Sequence, residues 1–163
     1  MPSCCAARGP GRGTAAVTEW WQQPLATLSA AQWEALCDGC GRCCLHKLQD
    51  EDTDEVFYTR VSCRHLDTHS CRCTQYPRRS ALVADCVTLT PDNQEALSWL
   101  PPTCAYRLRA RGEPLRDWHP LLSGDPESVH RAGISVRGRA LPEDRVHPDS
   151  HEEYIVHWVQ EDR

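Results

Sequence analysis

The hydrophobic and polar positions of this chain show their clearest helical pattern in the segment LSAAQWEAL. Ser29 is followed three residues later by Gln32, which is the spacing of a capping box. The apolar residues Leu28 and Trp33 flank this pair as a hydrophobic staple does. The pattern therefore predicts a short helix over residues 29–36 that leads directly into a cysteine-rich segment. We expect its tryptophan to face the core.

The other predicted elements are short and are separated by proline and glycine. The run VFYTRV at 56–61 is rich in β-branched and aromatic residues, which predicts a strand. Thr90 followed by Pro91 predicts a helix that begins there and ends before Pro101. Further predictions are a helix from Thr103 to Arg111 with Gly112 as its stop, a strand in GISVRGRAL at 133–141, and an apolar segment of ambiguous type at 152–159.

Short helices mixed with a few strands predict the α+β fold class. The chain has 163 residues, which is the size of one domain, but it contains one Phe and one Met beside 12 Pro and 9 Gly. Residues 1–17 are rich in Gly, Ala, Arg and Pro without periodicity, so we expect a disordered tail there. We expect residues 18–163 to form a small, irregular single domain organised around a cysteine-ligated metal centre.

Cysteine is the residue type that changes this picture most, because nine of the 11 cysteines fall between positions 37 and 104. Such density indicates either the disulfide scaffold of a secreted protein or thiolate ligands in a reducing compartment. The N-terminal segment contains no apolar run typical of a secretory signal, so we expect a cytoplasmic protein with reduced thiols. Apolar runs are too short for a membrane span, and a formal net charge of -5 gives no electrostatic footprint for nucleic acid.

The strongest chemical signal is the motif CDGCGRCC, in which a two-residue spacer lets a tight turn aim two thiolates at one metal. Gly39 and Gly41 permit the backbone conformations that such turns need. Neighbouring side chains usually diverge, so Cys43 and Cys44 are expected to serve two metal centres or one polynuclear cluster. The candidate metal ligands are the nine cysteines of the region: Cys37, Cys40, Cys43, Cys44, Cys63, Cys71, Cys73, Cys86 and Cys104.

Three metal chemistries fit this number of thiols. Two Cys4 zinc sites would use eight thiolates and leave one spare, whereas a three-zinc cluster with bridging sulfurs could use all nine. An iron-sulfur cluster would take three ligands from Cys37, Cys40 and Cys43 and a fourth from a distant cysteine. Soft thiolates suit both metals, so the predicted cofactor is zinc or an iron-sulfur cluster. No nucleophile and base are spaced for hydrolysis, and whether the protein is an enzyme stays open.

Three secondary signals accompany the motif. Cys104 stands at the predicted start of a helix, where the dipole and free amides should lower the pKa of its thiol. The acidic run at 50–55 begins like a calcium loop but has Glu55 where that loop needs glycine, so we expect a solvated turn. Three histidines in the cysteine-rich region could replace a thiolate in a Cys3His site or tune the centre from outside it: His46, His65 and His69. Such residues are more often surface or structural, so we do not include them among the predicted ligands.

The segments CDGCGRCCLHKLQDEDTDEVFYT, CRHLDTHSCRCTQYPRR and WLPPTCAYRLRARGEPLRDWHPLLSGD resemble the bacterial YcgN family of uncharacterised proteins. The resemblance extends from about Trp20 to Trp158 and includes each of the nine clustered cysteines. It implies a bacterial metal-binding protein whose CxxCxxCC region chelates zinc or iron, and it implies no particular reaction. An iron-dependent redox enzyme or electron-transfer component is the alternative function.

Overall fold

The computed structural model describes residues 19–161, so the predicted tail at 1–17 lies outside the described residues. The α-helices are α1 Ala30–Ala35, α2 Arg79–Leu82, α3 Gln94–Ser98, α4 Ala105–Ala110, α5 Pro120–Ser123 and α6 Ser128–Arg131. The strands are β1 Leu45–Gln49, β2 Val56–Ser62, β3 Leu66–Asp67, β4 Arg72–Cys73, β5 Leu141–Pro142 and β6 Ile155–Val156. Turns of 3-10 helix cover Trp20–Gln22, Leu25–Thr27, Arg42–Cys44, Tyr76–Arg78, Glu143–Arg145 and Pro148–Tyr154. This mixture confirms the predicted α+β fold class.

Strand β2, which confirms the strand predicted at 56–61, is the centre of the main sheet. It pairs with β1 in antiparallel register, with β6 antiparallel through Tyr58, and with β5 parallel through Val61. Because β2 has neighbours on both edges, its backbone groups are largely satisfied within the sheet and its side chains at 58, 59, 61 and 62 are buried. A separate hairpin joins β3 and β4.

The N-terminal helix α1 forms as its local sequence predicts. The Gln32 N–H donates to Ser29 Oγ at 3.3 Å, and the Ser29 N–H donates to Gln32 Oε1 at 2.9 Å, which completes the capping box. Trp33 is buried, and its ring centroid lies 4.7 Å from that of Tyr106 in α4. The Tyr106 hydroxyl donates to the Trp33 carbonyl at 2.9 Å, so the two helices are fixed to each other.

The prediction of a helix beginning at Thr90 is wrong, because α3 begins at Gln94. The side chain of Asn93 caps this helix by accepting from the Ala96 N–H at 3.2 Å, whereas the Thr90 carbonyl accepts from the Asn93 N–H within a preceding turn. Asparagine is among the best N-cap residues, so the later cap determines the start. The helix predicted from 103 to 111 is observed as α4, with Cys104 as its N-cap.

The strand predicted at 133–141 is also wrong. Gly133 and Gly138 both have left-handed backbone conformations, with φ of 70° and 71°, which interrupt an extended segment. Between them the Val136 N–H donates to the Cys40 carbonyl at 2.9 Å, so this segment supports the motif loop instead of a sheet. The ambiguous segment at 152–159 divides into the end of a 3-10 helix and the short strand β6.

The motif loop lies where three hydrophobic clusters meet. Leu36, immediately before the loop, belongs to a cluster with Trp33 and Tyr106. Cys40 belongs to a second cluster, and Leu45, immediately after the loop, belongs to a third that includes Tyr58. The loop is therefore held at both ends and in its middle by buried residues. Within residues 19–161, no helix is long and apolar enough to cross a membrane.

Candidate metal centre

Two glycines give the motif loop its shape. Gly39 and Gly41 adopt φ of +77° and +74°, a region that other residues enter only with strain. A Cβ on Gly41 would lie 2.9 Å from the Val136 side chain and 3.2 Å from Cβ of Cys71, so the loop also packs tightly here. The turn at Gly39 directs its N–H to the Cys37 thiol.

Four thiols gather where the motif loop meets the start of α4. They form the first thiol group, which comprises Cys37, Cys40, Cys43 and Cys104. Burial raises the pKa of Cys37, Cys40 and Cys104, and negative charge on Cys43 raises it further in each case. Because charge interactions weaken with distance, Cys37, Cys40 and Cys104 each lie within electrostatic range of Cys43. The loop and a helix 60 residues later thus contribute to one place in the fold.

Negative potential is the dominant electrostatic property of the first thiol group. Asp38 is buried, and its Oδ1 accepts from the Cys40 N–H at 3.0 Å. Burial and the charge of Asp38 both raise the pKa of Cys37, Cys40 and Cys104. They act in the same direction on Cys43, but the hydrogen bond with Cys44 is the larger effect and lowers the pKa of Cys43. Burial raises the pKa of Cys37 to about 12, although part of its surface remains accessible to solvent. Hydrogen bonds from the Gly39 and Arg42 N–H groups act in the opposite direction by stabilising thiolates on Cys37 and Cys40.

The predicted lowering of the Cys104 pKa is wrong in direction. Burial raises the pKa of this thiol, with Asp38 and Cys43 as further causes. The Arg107 N–H at the start of α4 does hydrogen-bond to it and lowers the pKa, as a helix N-terminus should. Desolvation of a buried thiolate is the larger effect.

Another four cysteines form the second thiol group: Cys44, Cys63, Cys73 and Cys86. The Cys63 N–H donates to the Cys44 carbonyl at 3.0 Å, and Cys73 lies on β4 opposite Leu66 of the hairpin. Cys86 comes from the segment after α2. Burial raises the pKa of its thiol, Arg79 lowers it, and the charges of Cys73, Cys63 and Cys43 raise it further. Sheet, hairpin and a later segment thus contribute to this group.

Cys43 and Cys44 connect the two groups. Their Sγ atoms lie 3.9 Å apart, and the hydrogen bond between them lowers the pKa of Cys43 and raises that of Cys44. The Lys47 ammonium also favours a thiolate on Cys43, and it donates to the Cys43 carbonyl at 2.9 Å. This contact departs from the expected divergence of the two side chains, and the assignment of Cys43 and Cys44 to two centres stays a prediction.

Cys71 is the member of the predicted ligand set that the structure brings into neither group. It is buried in the hydrophobic cluster of Leu45 and Tyr58, and its backbone has a left-handed φ of 57°. Its thiol donates to the Thr68 carbonyl at 3.9 Å. Packing against Gly41 gives Cys71 a structural role in supporting the motif loop.

Within residues 19–161, no three His, Cys, Asp or Glu side chains already converge closely enough to bind one metal ion. The Sγ atoms of Cys43 and Cys44 lie 3.9 Å apart, and binding of one ion by four thiols would require the other thiols to move closer together. Cys40 is buried beside the buried Asp38, whereas Cys37 and Cys43 are exposed. A soft divalent cation suits these thiols, because it offsets the negative charge that otherwise opposes ionisation. The donor set therefore fits zinc or iron.

The histidines and the acidic run have other roles. His46 pairs with Glu143, which also pairs with Arg64. His65 uses its carbonyl to accept from the Thr74 N–H at 2.8 Å, and His69 is exposed. The acidic run forms an exposed turn in which the Asp50 carboxylate accepts from backbone N–H groups, as expected for a solvated turn.

Two buried polar residues near the loop were not predicted from the sequence. Arg42 is 2 % exposed and donates to the Ile134 carbonyl at 2.6 Å and the Val159 carbonyl at 3.1 Å. His119 is also buried: its Nδ1 accepts from the Leu121 N–H, so its Nε2 donates to the Leu36 carbonyl at 2.9 Å. The available signals were a charged residue inside the motif and the Trp-His-Pro triplet at 118–120.

Comparison with known proteins gives a consistent result. Residues 36–105 match a family described as "CxxCxxCC: Putative zinc- or iron-chelating domain", in agreement with the expected zinc or iron. A UPF0260 protein of Cellvibrio japonicus is 59% identical over 140 residues, which cover 86% of this chain and 95% of the relative. UPF0260 proteins of Granulibacter bethesdensis and Sinorhizobium medicae are 57% and 54% identical, covering 89% and 87% of this chain and 86% and 92% of the relatives. No solved structure matches. The chain therefore belongs to the UPF0260 family of bacterial proteins.

Proposed function

We propose that this protein binds two metal ions, zinc or iron, one in each thiol group. The proposal is supported by the contact of the Cys43 and Cys44 Sγ atoms at 3.9 Å, and by charge effects that link Cys43 to Cys37, Cys40 and Cys104 and link Cys44 to Cys63 and Cys73. Four thiolates complete the tetrahedral coordination of a structural zinc site. Cys71, packed in the core, is then the spare thiol of the two-site arrangement.

The electrostatics support binding of a cation at the first thiol group. Without a cation, ionising Cys37, Cys40 or Cys104 is unfavourable because each thiol is desolvated and faces Asp38. A bound metal supplies the positive charge that stabilises the thiolates, and binding consequently releases the thiol protons. The N–H groups that already point at these sulfurs hold them for the ionised state.

A second candidate is an iron-sulfur cluster in the first thiol group, with an electron-transfer role. The specific observation in its favour is the position of Cys104, which supplies a distant fourth thiol beside the three from the CxxCxxC spacing. Anaerobic purification with elemental analysis and a visible spectrum separates the two candidates. A brown protein with iron and sulfide supports the cluster, whereas a colourless protein with two zinc ions excludes it.

Cys71→Ala and Cys73→Ala form a matched pair for testing the ligand assignment, because the two positions are neighbours on one hairpin. We expect Cys71→Ala to keep both metal ions and Cys73→Ala to lose one, measured as metal content per chain after gel filtration. Loss of metal from Cys71→Ala with retention in Cys73→Ala would contradict the two-group assignment.

Removing the metal should unfold much of the protein, because the motif loop joins three hydrophobic clusters that are individually small. Structural zinc supplies on the order of 10 kcal/mol, comparable to the stability of a whole domain. Circular dichroism and thermal unfolding before and after chelation measure the effect. An apoprotein with unchanged thermal stability would contradict a structural role for the metal.

We also propose a cytoplasmic location. The nine cysteines of residues 19–161 are free thiols, and a reducing compartment keeps thiols available for metal. Cell fractionation of the native host tests this location, and recovery of the protein outside the cytoplasm would contradict it.

A further inference from the structure

The sheet edge opposite β1 is divided between two short strands. Tyr58 of β2 pairs with β1 on one edge and with Val156 of β6 on the other. Ser62 likewise pairs with β1 on one edge and with β5 on the other. Strands β6 and β5 therefore follow each other along the same edge of β2. Arg60 lies at their junction, between the residues of β2 that pair with each strand.

A cleft of about 270 Å³, which we call the arginine cleft, lies at this junction. It is lined by Arg60, Gly138, Arg139, Val156 and Trp158. Gly138 has a left-handed φ of 71°, and a Cβ added there would meet no atom of the described residues within 4 Å apart from its chain neighbours. The space beside this glycine is therefore open. A cleft of this volume suits a small ligand.

Two guanidinium groups and an indole ring give the arginine cleft its chemistry. Arg60 is exposed, whereas Arg139 is half-buried, with its guanidinium 4.2 Å from the ring centroid of Trp158. Arg139 Nη1 donates to the Gly133 carbonyl at 2.9 Å, which uses one of the five N–H donors of the group. These two contacts hold the guanidinium in place, and Trp158 is itself anchored by the fully buried Val159 that follows it.

The positive charge at the arginine cleft is not offset by an acidic side chain. None of the lining residues is Asp or Glu, and among the described residues neither Arg60 nor Arg139 forms an ion pair. By contrast, Arg64, Arg131 and Arg137 each pair with a carboxylate. The chain as a whole has 23 acidic residues against 18 Lys and Arg, so overall composition does not explain two guanidiniums without a carboxylate at one cleft.

From these observations we propose that the arginine cleft binds a small phosphate monoester. Such a group carries about two negative charges at neutral pH, which match the two guanidiniums. Its oxygens accept paired N–H groups in the geometry that arginine offers. Trp158 and Val156 provide an apolar surface for the organic part of the ligand. This binding does not depend on the metal ions proposed for the thiol groups.

Isothermal titration calorimetry of the full-length protein with phenyl phosphate tests the proposal. We expect one binding event that weakens as sodium chloride is added, because salt screens interactions between exposed charges. Arg60→Gln and Arg139→Gln should each raise the Kd at least about tenfold, since each removes charge-assisted hydrogen bonds. Arg60→Lys should give an intermediate Kd, because lysine keeps the charge but lacks the planar fork.

Arg111→Gln is the matched control, because Arg111 is exposed at the end of α4 and does not line the cleft. This variant removes the same charge and should leave the Kd unchanged. Circular dichroism checks that the variants are folded, and the exposed Arg60 decides the outcome if Arg139→Gln is unfolded. Absence of binding, or an equal loss in Arg111→Gln, would overturn the site. Benzoate and inorganic phosphate should bind more weakly than phenyl phosphate, and equal affinity for either would overturn a phosphate monoester as the ligand.

Discussion

The buried guanidinium of Arg42 offers a quantitative test of how the motif loop is fixed. Arg42 lies between Cys40 and Cys43, and it donates from Nε to the Ile134 carbonyl and from Nη1 to the Val159 carbonyl. It also lies 5.3 Å from the ring centroid of Trp158. One side chain thus joins the loop to two distant parts of the chain. Arg42→Met keeps most of the apolar volume but removes the donors.

The expected loss of stability follows from the two carbonyls that remain. Ile134 and Val159 are 1% and 0% exposed, so water cannot easily replace the guanidinium. A buried acceptor without its donor costs about 1–3 kcal/mol, which gives about 2–6 kcal/mol for the pair. Removing a buried charge returns part of this cost, since the charge no longer has to be desolvated. We therefore expect Arg42→Met to lower the free energy of unfolding by about 3 kcal/mol.

Urea unfolding of the metal-loaded protein measures this value. Arg60→Met is the matched control, because Arg60 is exposed on β2 and its replacement should change stability by no more than about 0.5 kcal/mol. Arg42→Lys should be intermediate, since lysine keeps the charge but lacks the planar fork that reaches two carbonyls. If Arg42→Met is as stable as Arg60→Met, the buried carbonyls do not depend on the guanidinium and the reasoning fails.

Three other predictions concern single positions. Gly41→Ala should destabilise the protein more than Gly112→Ala: both require a left-handed φ, at a cost of roughly 1–2 kcal/mol, but only at Gly41 would the added Cβ meet other atoms within 4 Å. Equal unfolding midpoints would contradict this. Ser29→Ala removes the capping box and should cost about 1 kcal/mol, measured by urea unfolding. Burial raises the pKa of Glu143, but hydrogen bonds from Arg64 and His46 outweigh this effect and lower the pKa overall. Its stabilisation is therefore present above the unfolded pKa and lost as pH falls through the folded one. Glu143→Gln should be less stable than the unmodified protein at neutral pH, and the difference should shrink in acid, whereas the exposed Glu152→Gln should show no such trend.

The elements that could be predicted from the sequence are those whose signals are local. The capping box of α1, the β-branched run of β2 and the glycine after α4 each act within a few residues, and each element forms where predicted. The start of α3 was misplaced because Asn93 competes with Thr90 as a cap. The segment at 133–141 has apolar residues that suit a strand, but they pack against the motif loop between two left-handed glycines.

The candidate site was predictable in its residue types and not in its grouping. Two-residue spacing identifies thiols that can share a metal, but it gives no information on which distant cysteine joins them. Cys104 joins the first thiol group because α4 packs on α1 through Tyr106, a contact 73 residues apart in the sequence. Similarly, Cys71 and Cys73 differ by two positions, yet one is in the core and the other is in the second thiol group. Tertiary contacts, which sequence spacing does not encode, make that distinction.

The position of the motif loop explains why a bound metal would stabilise the fold of this protein. Its hydrophobic clusters are small, and the loop lies between them, with Leu36 in one cluster and Leu45 in another. Four thiolates on a single ion would connect the loop to α4, and four on a second ion would connect it to the sheet and the β3–β4 hairpin. Because Cys43 and Cys44 are adjacent, ordering one site restrains the backbone of the other. Because this coupling is reciprocal, loss of either metal should weaken binding at the other site.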